Sequence, residues 1–108
     1  MEEAMRIEAM LEFRSTIEAF HYEVERGVRP EVEVFYAFEY TEDFSALIFT
    51  VDRTEYEQDI TAEMIEISIA EDAIKYQIYN RKPIGVEVRY KDLTTNQIFE
   101  QRTYPEPR

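Results

Sequence analysis

Cysteine and tryptophan are missing from this chain, and glycine occurs only twice. Without cysteine there is no disulfide, no thiolate metal site and no cysteine nucleophile. The two glycines, Gly27 and Gly85, are too few and too far apart for a loop that cradles phosphate. No G-x-S-x-G element marks a nucleophilic serine. Long apolar runs are missing too. Runs such as Ala46-Leu47-Ile48-Phe49 fall far short of the roughly 20 residues a membrane helix needs. The first residues, MEEAMRIEAM, are acidic and lack the basic-then-apolar order of a signal peptide. A cytoplasmic protein without membrane contact is the expectation.

Basic residues are scarce, with 12 Lys and Arg against 24 Asp and Glu, for a net charge of −12. Phosphate contact needs Lys and Arg, so direct nucleic-acid binding through a basic face is not expected. Anionic membranes are disfavoured for the same reason. The charge is uneven. Residues 1–72 hold 20 acids and 5 bases, whereas residues 73–108 hold 4 acids and 7 bases. The densest block, 31–72, has 13 acids and one base, Arg53. Such asymmetry produces a directional field.

What the chain does contain is enough apolar material for one core. It is 108 residues long and 44% hydrophobic, with 7 Phe and 8 Tyr. That argues against disorder and for a single domain over 1–104, followed by a flexible tail at 105–108.

From about Ala4 to Arg26, Met10, Phe13, Ile17, Phe20 and Val24 recur at spacings of three and four, which predicts a long helix. Gly27 fits a left-handed cap, and Pro30 prevents continuation. The period then changes to two. Residues 32–40 and 44–51 read as strands, 52–59 as a polar loop, 60–66 as either helix or strand, and 65–69, 74–79, 84–91 and 97–104 as further strands. The expected fold is α+β: one long N-terminal helix packed on a curved antiparallel meander of five to six strands. One helix about 10 Å across cannot cover a sheet about 25–29 Å wide. Phe35, Leu47, Phe49, Val51 and Tyr79, with Ala37, fall opposite the stripe assigned to the helix. They form an apolar second face suited to a homodimer or partner interface.

Motifs for chemistry are thin. His21, the only histidine, has Glu18 and Glu25 beside it in helical geometry, an arrangement that favours a charged, paired imidazole over a general base. Glu18-Ala19-Phe20-His21 has the Glu-x-x-His spacing of di-iron bundles, but such a site needs a second copy and two further Glu-bearing helices. A calcium loop begun at Glu55 would put Glu66 at position 12, but it has Ile60 where glycine is required. No metal, cofactor or catalytic set is assigned.

These observations favour a non-enzymatic acidic interaction protein of the inhibitor, immunity or nucleic-acid-mimic kind. Its basic protein partner would meet Glu33, Glu39, Glu42, Asp43, Asp52, Glu55, Glu57, Asp59, Glu63 and Glu66. The mimic version needs carboxylates held about 6.5–7 Å apart along rigid strands. One alternative is a small-ligand or minor enzymatic domain with a pocket lined by Tyr36, Phe38, Tyr76 and Tyr90. Another is a structural dimer subunit.

Overall fold

The computed structural model describes residues 2–27 and 33–105. The chain runs α1 (Glu3–Arg26), β1 (Phe35–Tyr40), β2 (Ala46–Val51), α2 (Arg53–Gln58), α3 (Ala62–Tyr79), β3 (Val86–Asp92) and β4 (Ile98–Tyr104). The fold is α+β with a long N-terminal helix. Its sheet is four-stranded and mixed, in the order β1-β2-β3-β4. β1 pairs antiparallel with β2, β2 parallel with β3, and β3 antiparallel with β4. The fully antiparallel meander of five to six strands is thereby corrected. Val32, the expected start of the first strand, and tail residues 106–108 lie outside the described residues.

α1 forms as its periodicity predicts. Ile17, Phe20 and Val24 are buried, and Met10 and Phe13 pack against the core. Gly27 ends the helix at φ 61°, and its N–H donates to the carbonyls of Glu23 and Val24. A side chain at that φ is strained by about 1–2 kcal/mol, which is why glycine sits there.

α3 replaces two expected strands and the turn between them. Ile65, Ile67 and Ile69 alternate over only five residues. The helical period is carried by Ala62, Glu66, Ile69, Ala70, Ala73, Tyr76 and Gln77, which are all buried. Three of these are alanines and two are polar, so the stripe is weak to a hydrophobicity count although it is continuous in space. The helix also resolves the coverage problem. Four strands about 4.8 Å apart span about 14–19 Å, and two helices about 10 Å across cover that width. α1 and α3 run antiparallel, since Phe13 stacks on Tyr79 at 5.7 Å while Phe20 and Glu23, further along α1, lie beside Ile65 and Ile69 nearer the start of α3.

The core lies between this helical pair and one face of the sheet. Leu47, Phe49 and Val51 of β2 and Val86, Val88 and Tyr90 of β3 point into it. A bulge between Phe35 and Ala37 shifts the phase of β1, so that Phe35 and Phe38 both face inward and Tyr36 is left exposed. This corrects the apolar second face: Phe35, Leu47, Phe49 and Val51 are core residues at 3% exposure or less. Tyr79 belongs to α3. The opposite face of the sheet is polar. Ile48 lies between Glu39 and Arg89, and Thr50 between Ala37 and Lys91. Long charged side chains shield the small residues there while keeping their heads in water, and Lys91 pairs with Glu39 at 3.7 Å.

Candidate functional site

The carboxyl ends of β2 and β3, the start of β1 and the N-terminus of α3 meet at one end of the molecule, and α2 sits there. This end is rich in acids because backbone geometry demands several of them. Asp52 accepts from the Glu55 N–H at 3.0 Å and starts α2. Asp59 accepts from the N–H groups of Thr61 and Ala62, both at 2.8 Å, and so starts α3. Asp92 accepts from the N–H groups of Arg53 and Thr95. Side-chain oxygens at these positions satisfy donors that have no partner within a helix. Burial opposes ionisation of Asp59, but the bonds from Thr61 and Ala62 outweigh it and hold the carboxyl below its usual range. Asp59→Ala is expected to cost about 1 kcal/mol, the loss of a helix cap, read as a lower urea midpoint at unchanged slope.

Other acids at this end take no part in capping and are displayed beside Asp59. Glu33, Glu55 and Asp59, with Val34 and Gln58, line a shallow depression of about 270 Å³. The Tyr36 hydroxyl donates to Glu55 at 2.7 Å, and that bond raises the phenol above its ordinary pKa. Glu57 pairs with Arg53 at 2.9 Å. Glu63 is exposed on the first turn of α3.

The remaining predicted acids are dispersed. Asp43 accepts from Ser45 and Thr41 in the turn before β2, and the Ser45 bond chiefly holds its carboxyl low. Glu42 belongs to the same turn, at the opposite end of β2 from α2. Glu39 lies on the open sheet face. Glu66 is fully buried and cannot meet a partner. Residues 53–58 and 62–79 are helical, so the strand-spaced carboxylate array is corrected as well. The predicted aromatic pocket is not formed either. Phe38 and Tyr90 are completely buried, Tyr76 nearly so, and Tyr36 is exposed on β1 with its hydroxyl on Glu55 of α2.

Glu66 instead centres a polar network that sequence reading missed. It accepts from the Tyr90 hydroxyl at 2.8 Å, from Arg102 Nε at 2.8 Å and Nη2 at 2.6 Å, and from the Tyr104 hydroxyl. Arg102 also reaches the Tyr56 hydroxyl at 2.9 Å and Glu100 at 3.1 Å. Burial pushes the Glu66 carboxyl up, but the bonds from Arg102, Tyr104 and Tyr90 together prevail and hold it below the usual range. A carboxylate saturated with donors and held ionised is a poor general base. The network ties α2, α3, β3 and β4 together. Only a buried-ion signal could have revealed it, and Glu66 sits in a stretch that reads as a strand.

His21 is half-buried, with Nε2 3.7 Å from Glu25 and its ring against Tyr40. Glu55 and Glu66 of the calcium-loop reading fall on different helices, one exposed and one buried. Among the described residues, no three His, Asp or Glu side chains are arranged to hold a metal ion, and no helix is long and apolar enough to cross a membrane. Compared with known protein families, curated proteins and solved structures, the chain matches none.

Proposed function

We propose that this chain is a non-catalytic interaction protein whose α2 end docks on a basic surface of another protein. One observation carries the reading: Glu33, Glu55 and Asp59 converge on a single depression. Glu57 and Glu63 lie within a few residues of its lining along the chain, and Arg53 is the only base in residues 31–72. A surface of this kind steers a cationic partner and fixes its register. The nucleic-acid-mimic version loses its support, because helices have replaced the strands that would set phosphate-like spacing.

The Glu33→Gln/Glu55→Gln/Glu63→Gln protein leaves the Asp caps intact and tests the reading. Immobilised wild-type chain is expected to retain basic proteins from a lysate at about 0.1 M salt and release them by about 1 M, as the screening length falls from about 10 Å to about 3 Å. The triple variant is expected to retain at least about tenfold less of them. Equal retention by both proteins, or retention indifferent to salt, overturns the reading.

Small-ligand binding is the second reading, and one cavity favours it. About 430 Å³ lies beside the C-terminus of α3, lined by Asp43, Gln77, Lys82, Ile84 and Gly85 among others. That volume suits a small molecule. The Gln77 amide, however, is already bonded to the backbone of Asp43 and Gly85.

A further inference from the structure

Between α1 and α3 the helical layer opens into a groove of about 260 Å³. Phe20, Ile65 and Ile69 supply its apolar lining, and among the described residues the charged side chains that line it, Glu23 and Asp72, are acids. The lining residues span 16–23 on α1 and 65–72 on α3, seven steps of 1.5 Å, or about 10 Å. Two side chains one helical turn apart, with about 5–6 Å between their Cβ atoms, fit that length.

Asp72 is a half-buried acid of the groove. Partial burial raises its carboxyl pKa, Lys75 only partly offsets this, and Glu71 adds to it. Lys75 is also engaged elsewhere, its ammonium lying 5.7 Å from the centre of the Phe13 ring. An incoming Lys or Arg would favour the ionised form of this carboxylate.

We propose that this groove receives one face of a basic amphipathic helix from a partner protein. Two apolar anchors of that helix lie over Phe20, Ile65 and Ile69, and a Lys or Arg sits beside Asp72. The proposal rests on the basic-partner reading above and gives that partner a shape. A helix suits the site because its backbone is satisfied internally and its anchors recur at i and i+4. A second copy of this chain does not suit it, because two bodies of net charge −12 repel.

The probe is a fluorescein-labelled peptide of about 20 residues, long enough to be helical, with leucines at i and i+4 on a lysine background. A control peptide of equal charge carries alanine at both anchor positions. At about 0.15 M salt the anchored peptide is expected to bind the wild-type chain at least about tenfold tighter by fluorescence anisotropy. Ser68 and Ala19 line the groove from its two helices and are exposed, so Ser68→Trp or Ala19→Gln fills it without touching the core. Either change is expected to cost about tenfold in affinity and Asp72→Asn about threefold, with backbone amide shifts on binding confined to 16–23 and 65–72. Equal affinity for the two peptides overturns the groove, as does full affinity in both filling variants. If the filling variants bind normally while Glu33→Gln/Glu55→Gln/Glu63→Gln does not, the groove is wrong and the acidic-end reading stands. If the wild-type chain binds neither peptide at any salt concentration, both fall.

Discussion

Arg102→Ala is expected to destabilise the fold by about 3–5 kcal/mol, the range for stranding one charge of a buried pair. The carboxylate it strands, Glu66, is fully buried, and only Tyr90 and Tyr104 would remain to solvate it. For a domain near this size that corresponds to a melting temperature lower by roughly 15–25 °C. Glu66→Leu/Arg102→Leu is expected to lose less than Arg102→Ala, because no ion is then left uncompensated. Chemical denaturation of Glu66→Leu, Arg102→Leu and the double variant gives the coupling directly. A loss below about 1 kcal/mol for Arg102→Ala would show that the pair does not hold β4 to α3.

The same network sets the pH response. The folded-state pKa of Glu66 is depressed, so its stabilisation is complete above the ordinary carboxylate range. It is lost as pH falls through the folded-state value. Wild type should therefore lose stability toward acid more steeply than Glu66→Gln. At the alkaline side, burial and the bond to Glu100 push Tyr56 up to about 12. Its contribution is present below the ordinary phenol range and disappears as pH rises toward that value.

Phe49→Ala is expected to cost about 3–5 kcal/mol, the range for truncating a fully buried aromatic. Phe49 occupies the middle of β2, with ring centres of Phe38, Phe35 and Tyr90 at 5.0, 5.1 and 5.2 Å. Edge-to-face contact with Phe20 at 6.2 Å joins it to α1. Truncation leaves a void in the one place where both strand pairings and the helical layer meet. Ile48→Ala, one residue away on the polar face, is expected to cost about 1 kcal/mol or less. The contrast decides which way β2 faces. Were Phe49 on an exposed interaction face, its truncation would leave the urea midpoint nearly unchanged.

The orientation of β2 was the point at which sequence reading went furthest astray. Its residues are apolar on both sides, so period two cannot say which side meets the helices. The bulge in β1 then removed the remaining clue by bringing Phe35 and Phe38 to one face. For α3, three isoleucines mimic a strand while alanines and two polar residues carry the helical stripe. Alanine is a good helix former but a faint hydrophobic marker. α2 is short and polar, and reads as a loop until Asp52 and Asp59 are seen to cap consecutive helices. Of the contact acids that the sequence suggests, Glu33, Glu55 and Asp59 converge on one depression. Glu66 is suggested with them and lies at the core, because its partners Tyr90, Arg102 and Tyr104 are more than 20 residues away.

The chain alone determined what local, short-range physics can settle. It specifies a long amphipathic helix from about Ala4 to Arg26, its glycine stop, an acid-rich first two-thirds, and the absence of thiol chemistry. Tertiary structure alone decided the parallel pairing of β2 with β3, the facing of β2, and the burial of Glu66 against an arginine 36 positions away. Each of these depends on which distant surfaces meet. A residue's own neighbours in sequence carry no information about that until the helices have covered the sheet.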